Sequence, residues 1–425
     1  MEEGEGNREV EVAPALVAVH PSHSSVVVAV ASDLRVYDLS GDRPVTLGDE
    51  PGRSNHSDSI RAIRYAPDGE LFVSAGDDKR VNVWSVDSWR CIGTVCCEKR
   101  VSSVAISPNG LYVCFADKFG VVWVVSVEKD DADQQFVKDK PTPMLAHYCS
   151  IITSLAFSPD GRFLVSADRD SKIRVSVVPK EPLKGAHEIQ SFCLGHSEFV
   201  SCLDFVYTSE YSKGLLVSGS GDSTVRLWDC ETGSLLDIFD VGSKVDDFAP
   251  NGVEGEMHYV VTDLCASPND TRIAVAVQSL NGIVLLNCDL PGKTLSIIMV
   301  VRIAGEAFIP TSLGTGSGQN LMWMVAGVSK LTGLDSTLPI VLVKTMTGFR
   351  SNTDQEPTVQ PSNEIPGSLK LLEHLQGSLQ VEGPAISAAA NAWRLAMCNL
   401  MVKKQYSAET REFRKRTRND KKAAQ

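Results

Sequence analysis

The sequence has no run of apolar residues near the roughly 20 that a helix needs to cross a bilayer, so we expect no membrane-spanning helix. Its eleven cysteines contain no Cys-x-x-Cys pair, which argues against a zinc site, and their odd number argues against a disulfide scaffold. The first residues are acidic rather than apolar, so we expect no secretory signal. Together these absences predict a reduced protein of the cytosol or nucleus.

Length and charge further limit the class of protein. With 425 residues, the chain is too long for one ordinary core and predicts either several domains or one large repeat array. The net charge of −12 is uneven: residues 403–425 carry nine Lys and Arg against three Asp and Glu, and the rest of the chain carries 32 against 50. An acidic body argues against a main domain that clamps nucleic acid.

A repeated segment predicts the architecture. An aspartate followed by alternating apolar residues occurs at residues 78–84, 170–176 and 222–228, and looser copies bring the spacing to 40–58 residues. Within each unit, the alternation is broken by Asp-Gly or Asn-Gly turns, as at 68–69, 109–110 and 160–161, which predicts short antiparallel strands. Four strands in about 40 residues are typical of a propeller blade, and the repeat resembles the WD-repeat family. With a seventh copy near residues 321–345, we predict an all-β, seven-bladed WD-repeat β-propeller with a C-terminal helical, basic extension.

In WD-repeat blades, a His, a Ser or Thr, a turn Asp and a Trp form a buried hydrogen-bonded set. The matching residues are His56, Ser74, Asp78 and Trp84; His196, Ser218, Asp222 and Trp228; and, with Ser176 in place of Trp, His147, Ser166 and Asp170. A catalytic triad would occur once, whereas this set recurs in register with the strands, so we predict a structural role.

No catalytic centre is predicted. The sequence contains no Walker motif, no His-Glu-x-x-His and no nucleophile elbow. The glycine-rich segment 314–318 resembles a nucleotide-binding loop, but no strand–loop–helix pattern surrounds it. We therefore interpret this segment as a flexible connection between blades.

The fourth blade carries charges that the structural set does not need. These are Asp168, Arg169, Lys172 and Arg174, and strand alternation places Lys172 and Arg174 on the same side. Arginine and aspartate on a rigid turn suit charge-complementary docking, so we predict these four as partner-binding residues. The alternative is a solvated blade edge, because Arg226 occupies the same column as Arg174 in another blade.

Residues 166–176, followed by residues 190–201 with their Phe-Cys-Leu-Gly-His segment, are similar to the WD-repeat non-catalytic subunit of eukaryotic tRNA (guanine-N7) methyltransferase. This resemblance implies that the chain forms a heterodimer with a separate catalytic subunit and stabilises it. It implies that S-adenosylmethionine binds to that partner, with no cofactor in this chain, and that the partner methylates N7 of the guanosine at position 46 of tRNA. In that family the charged turn of the fourth blade grips the catalytic subunit. One departure is Ser171, where relatives often have an acidic residue.

Composition divides the chain into an acidic tail (1–9), the propeller (10–349), a linker (350–367), a helical extension (368–406) and a basic tail (407–425). The extension predicts helices over 368–376 and 385–406, the second with apolar residues that suit packing on the propeller or binding a partner. The end of the chain resembles a two-part nuclear-import signal, and it equally suits contact with tRNA phosphates or a solvated tail. Its basic residues are Lys403, Lys404, Arg411, Arg414, Lys415, Arg416, Arg418, Lys421 and Lys422.

We therefore predict a non-enzymatic subunit of a tRNA (guanine-N7) methyltransferase, located in the nucleus and secondarily in the cytoplasm. It would reach tRNA through the complex and would not contact membranes. The alternative is a generic WD-repeat adaptor, such as a substrate receptor or a chromatin-associated scaffold.

Overall fold

The structure is a computed structural model that describes residues 12–47, 56–129, 135–137, 140–147, 150–246, 259–303, 307–317, 320–330, 339–351, 355–365, 368–378, 381 and 383–401. Seven antiparallel sheets follow one another along the described chain; six have four strands in sequential order, and the third has five, because its third strand pairs with both its fourth and its fifth. The first strand of each sheet contacts the first strand of the next, and the first strand of the seventh sheet contacts that of the first sheet. The predicted seven-bladed propeller is therefore confirmed.

The strands follow the chain blade by blade. Blades 1 to 3 contain β1 Leu16–Val19, β2 Ser25–Val30, β3 Asp33–Asp38 and β4 Arg43–Val45; β5 Ile60–Tyr65, β6 Leu71–Gly76, β7 Arg80–Ser85 and β8 Arg90–Cys96; and β9 Val101–Ile106, β10 Tyr112–Asp117, β11 Val121–Lys129, the extra strand β12 Gln135–Val137, and β13 Thr142–Ala146. Blades 4 and 5 contain β14 Ile152–Phe157, β15 Phe163–Asp168, β16 Lys172–Val177 and β17 Ile189–Leu194; and β18 Val200–Val206, β19 Leu215–Ser220, β20 Thr224–Asp229 and β21 Ser234–Asp240. Blades 6 and 7 contain β22 Val261–Ala266, β23 Arg272–Val277, β24 Gly282–Asp289 and β25 Thr294–Arg302; and β26 Ser312–Thr315, β27 Leu321–Val328, β28 Ile340–Thr347 and β29 Thr358–Val359. The helices are α1 Val241–Asp246, α2 Ser368–Gln376 and α3 Gly383–Met401, with a short 3-10 turn at Pro182–Lys184.

The predicted turns connect the first two strands of their blades. Gly69, Gly110 and Gly161 have φ of +80°, +70° and +71°, a left-handed conformation that glycine adopts at little cost. The strands that these turns lead into are buried on both faces, because each blade packs against a neighbour on either side; every residue of β6 and β15 is buried. This explains why these strands are rich in Val, Leu, Phe and Ala rather than alternating strictly between apolar and polar residues.

Hydroxyl groups join the innermost strands of neighbouring blades. Each of these hydroxyls donates to a main-chain carbonyl of the next blade: Ser102 to Ile152 (2.7 Å), Thr153 to Val200 (2.5 Å), Ser201 to Val261 (2.6 Å) and Thr311 to Ala15 (2.7 Å). The corresponding hydroxyl of Thr262 is buried without a hydrogen-bond partner. Such hydrogen bonds therefore supplement the packing between blades 3 and 4, 4 and 5, 5 and 6, and 7 and 1.

The C-terminal region agrees with the sequence in part. The helix predicted over 368–376 is α2, and the second predicted helix is α3, which begins at Gly383 and is described as far as Met401. The predicted linker contains β29, whose two residues pair with Met346 and Thr347 to complete blade 7. So short a strand leaves no local pattern among the Ser, Asn and Pro residues around it. In the part of the chain that the structure describes, no helix is long and apolar enough to span a membrane.

Candidate partner-binding surface on the fourth blade

The repeated His residues form the expected buried networks. His56 Nδ1 lies 2.9 Å from Asp78 and its Nε2 lies 2.8 Å from the Ser74 hydroxyl, which also accepts a hydrogen bond from Trp84 Nε1 at 3.1 Å. Blade 5 repeats this arrangement with His196, Asp222, Ser218 and Trp228. The indoles are fully buried, so these residues link strands within a blade and the structural interpretation is confirmed.

In blade 4 the network uses a different aspartate from the predicted one. His147 Nδ1 contacts Asp168 at 2.9 Å and its Nε2 contacts Ser166 at 2.7 Å, so the prediction of Asp170 was wrong. Asp168 is the last residue of β15 and its Oδ1 also accepts the N–H groups of Asp170 (2.9 Å) and Lys172 (3.0 Å). Asp117 holds the matching turn of blade 3 in the same way. An aspartate at the end of the second strand can therefore replace the one in the turn.

Burial and hydrogen bonding both act on Asp168. Burial by itself would raise the pKa of this carboxyl, but the hydrogen bonds from His147 and from the Lys172 and Asp170 N–H groups together hold the pKa below its ordinary value. Asp168 is only 1% exposed. It fixes the shape of the charged turn from inside, while the exposed acid of the turn is Asp170. Whether Asp168 takes part in partner binding stays a prediction.

Lys172 and Arg174 lie on the same face of β16, as predicted, opposite Leu194 and Phe192 of β17. Lys172 is exposed and Arg174 is partly buried, as is Arg169 at the tip of the turn. The Arg174 Nε donates to the Ser176 hydroxyl at 3.0 Å and its Nη1 donates to the Ala146 carbonyl at 3.2 Å. Ser176 stands opposite Leu164 just as Trp84 stands opposite Phe72, so Arg174 extends towards the position that an indole fills in blade 2.

The guanidinium of Arg174 differs from that of Arg226 in its partners. Arg226 lies 3.4 Å from the Asp222 carboxylate, whereas among the described residues no carboxylate is within ion-pair distance of Arg174. Burial lowers the pKa of Arg174, although the group remains a cation at neutral pH. A partly desolvated cation that has no carboxylate partner is suited to bind a carboxylate from another molecule.

Sequence reasoning missed the apolar half of this surface. The side chains of Ile189, Phe192 and Leu194 on β17 are 43%, 45% and 61% exposed, although β17 is the outermost strand of its blade and carries no charged residue. The signal was present in the sequence. Phe192 and Leu194 make one face of the strand apolar, and the buried Cys193 between them makes the other face apolar. On the neighbouring outer strand β21, Leu235 and Ile238 are also exposed. Adjacent exposed apolar side chains of this size commonly mark an interaction site.

We call Lys172, Arg174, Phe192 and Leu194 the blade-4 rim. Cross-strand pairing places a lysine next to a leucine and an arginine next to a phenylalanine on one face of the blade. Such a surface can bury apolar area against a partner while its cations fix the orientation.

The glycine-rich segment does not form a nucleotide-binding loop. Residues 314–317 run from β26 into the turn before β27, so the segment lies within blade 7 rather than between blades, and Ser317 donates through its N–H to the Pro21 carbonyl at 2.7 Å. No group of three His, Cys, Asp or Glu residues in the described ranges is arranged to hold a metal ion. The basic residues of the C-terminal tail, Lys403 to Lys422, lie outside the described residues.

Comparison with protein families gives two matches. The family described as "tRNA methyltransferase TRM82 WD40 domain" matches residues 128–326, and the family described as "WD domain, G-beta repeat" matches residues 50–85. The first match spans the whole of blade 4. Over these residues the chain is similar to WD-repeat proteins.

Several curated relatives of this chain carry the same description, the non-catalytic subunit of tRNA (guanine-N(7)-)-methyltransferase. The relative from Xenopus laevis is 27% identical, with 88% of this chain and 86% of the relative covered. The relative from Homo sapiens is 32% identical over 53% of each chain, and the one from Danio rerio is 32% identical over 56% of this chain and 54% of the relative. The chain therefore spans just over half the length of several relatives that it matches, and it resembles this non-catalytic subunit.

Solved structures support the same fold. The chain matches a structure titled "Structure of U3-55K" with a TM-score of 0.58 and 18% identity, covering 75% of this chain and 89% of that one. It also matches a chain of "Crystal Structure of Mitotic Checkpoint Complex" with a TM-score of 0.56 and 15% identity, covering 76% and 91%. Similarity at this identity concerns the propeller architecture alone.

Proposed function

We propose that this chain is the non-catalytic subunit of a tRNA (guanine-N7) methyltransferase, and that it binds and stabilises a separate catalytic subunit as a heterodimer. The names of the curated relatives support its assignment to this complex. The observation that carries the docking role is the blade-4 rim, where Arg174 has no carboxylate partner among the described residues and stands beside the exposed Phe192. S-adenosylmethionine would bind to the catalytic partner, which would methylate the guanosine at position 46 of tRNA.

The chain would act by mass action rather than by chemistry. A subunit that binds only the folded, competent form of its partner raises the population of that form, by an amount that depends on the ratio of its concentration to the dissociation constant. On this proposal the rate of methylation rises although no group of this chain touches the reacting atoms. tRNA would be reached through the assembled complex.

The test is co-expression with the catalytic subunit, followed by affinity purification and transfer of labelled methyl groups to tRNA. We expect stoichiometric association, with full activity only in the pair. Phe192→Asp should weaken association about tenfold or more, because it places a charge in a surface that becomes buried. The matched control is Ile298→Asp, which changes another exposed apolar residue on an outer strand, that of blade 6, where Ile298 is 38% exposed.

Arg174→Glu tests the charged half of the rim. A partner carboxylate bound to Arg174 would then face a like charge, so we expect loss of the heterodimer together with loss of methylation. Arg43→Glu is the control, because Arg43 is an arginine on the outer strand of blade 1 with a side chain that is 75% exposed. Normal association of both rim variants would refute this docking surface. Absence of any association by the wild-type chain would instead favour the adaptor alternative.

We also propose that the chain enters the nucleus by means of its basic tail. Nine Lys and Arg residues between 403 and 425 support an import signal, and the same residues would suit tRNA phosphates. Deleting residues 405–425 should make a tagged chain cytoplasmic if the tail directs import. If location is unchanged but the affinity of the complex for tRNA falls and loses part of its salt dependence, the tail contacts RNA instead.

A further inference from the structure

The seam between blade 1 and blade 7 differs from the other seams of the ring. Every blade is built from consecutive strands, so the chain passes directly from each blade to the next except from blade 7 back to blade 1. Among the described strands, none is shared across this seam, as the strand order of both sheets shows. The direct contacts include an isolated bridge between Pro14 and Val328 and a 3.1 Å hydrogen bond from Trp323 Nε1 to His23 Nε2.

Helix α2 lies over this seam and contacts both blades. Its buried leucines, Leu371, Leu372 and Leu375, belong to one apolar cluster together with residues of both blades. From blade 1 the cluster includes Val26, Val28 and Tyr37, and from blade 7 it includes Trp323, Val341 and Val343. Separating the two blades would expose this cluster to water, so burial of α2 opposes opening of the ring.

Hydrogen bonds attach the end of α2 to each blade. The Val343 N–H of β28 donates to Gln376 Oε1 at 2.7 Å, and Arg35 Nη1 of β3 donates to the Leu375 carbonyl at 3.0 Å. Gly377 ends the helix with φ of +78°, and a side chain at this position would approach the Arg35 guanidinium to 3.1 Å. The helix end is therefore shaped to let Arg35 reach a carbonyl that the helix itself leaves unpaired.

We propose that α2 is a clasp that closes the propeller by holding the described strands of blades 1 and 7 together. The chain that emerges from blade 7 supplies α2, so the clasp is tethered near its site and binds at a high effective concentration. The three leucines pack against both blades, Gln376 binds blade 7, and Arg35 of blade 1 binds the end of the helix.

Amide hydrogen exchange of the free full-length chain tests this proposal. Leu371→Asp places a carboxylate in the apolar cluster, so we expect exchange to accelerate at least tenfold in β2 and in β28, on both sides of the seam. Exchange in β15 and β19, in the blades far from the seam, should stay unchanged. The control is Leu369→Asp, which introduces the same charge on the same helix where the side chain is 55% exposed, and it should leave all four strands unchanged.

Gln376→Leu is a milder second variant for the case in which Leu371→Asp does not fold. It removes the acceptor of the Val343 N–H while keeping a side chain of similar size, so this amide should exchange faster and the melting temperature should fall by a few degrees. Acceleration confined to α2, or spread equally over all blades, would overturn the clasp. The measurement uses neither the catalytic subunit nor tRNA, so its outcome is independent of the proposed function.

Discussion

Replacing Asp168 by alanine removes a buried carboxylate that accepts three hydrogen bonds. His147 Nδ1, the Asp170 N–H and the Lys172 N–H lie 2.9, 2.9 and 3.0 Å from its oxygens. The side chain is only 2% exposed, so water replaces few of these contacts. A donor left unsatisfied in a buried site lowers the free energy of unfolding by about 1–3 kcal/mol. Because the turn can relax and let water reach some of the donors, we expect Asp168→Ala to lower it by about 3 kcal/mol in total rather than by the sum for three donors.

The matched comparison is Asp170→Ala, two residues away on the exposed side of the same turn. It should change the free energy of unfolding by less than about 0.5 kcal/mol, the usual range for surface substitutions. Urea denaturation followed by tryptophan fluorescence measures both variants. If Asp170→Ala destabilises the chain as much as Asp168→Ala, the assignment of the His147 partner to Asp168 is wrong.

Two further predictions concern the first strands of blades 4, 5 and 6. Thr153→Val keeps the side-chain shape but removes the 2.5 Å hydrogen bond to the Val200 carbonyl, so it should cost about 1 kcal/mol of stability. Thr262→Val removes a hydroxyl that is buried without a partner and should cost nothing. Equal effects of the two variants on thermal melting would contradict the role given to the hydroxyl groups between blades. Burial raises the pKa of Asp204 to about 6, against the opposing hydrogen bonds from Ala266 and Phe205. Because the folded pKa lies above the unfolded value of about 3.9, the folded state binds the extra proton, and this group adds up to about 3 kcal/mol of stability as pH falls from above 6 to about 4. Asp204→Asn should remove that acid-side gain, so an unchanged difference in melting temperature between pH 7 and pH 4.5 would count against it.

The strands and their turns were predictable because their causes are local. Alternation of apolar residues and an Asp-Gly or Asn-Gly turn act within about ten residues, and glycines such as Gly69 and Gly161 have the left-handed φ that such turns require. The helix over 368–376 was predictable for the same reason, since its leucines recur at helical spacing. By contrast, β29 has two residues and depends on pairing with Met346 and Thr347, which no local pattern indicates.

The candidate site was predicted less completely. The sequence drew attention to the charges at Lys172 and Arg174, whose shared face follows from strand alternation alone. It did not identify Phe192 and Leu194, because an apolar residue in a strand is ordinarily buried and their exposure depends on β17 being the outermost strand.

The sequence by itself determined the propeller, its number of blades, the recurring His-Ser-Asp networks and the absence of a recognisable catalytic motif. The first three follow from a pattern that repeats along the chain, so that each copy of the pattern supports the others. Only the tertiary structure decided which aspartate His147 binds, since Asp168 and Asp170 are close in sequence and their roles depend on where the histidine of the preceding loop arrives. It also decided that α2 bridges the first and last blades, because that contact joins residues such as Arg35 and Leu375, which are 340 positions apart. Contacts over such a separation arise from closure of the ring, which no local segment encodes.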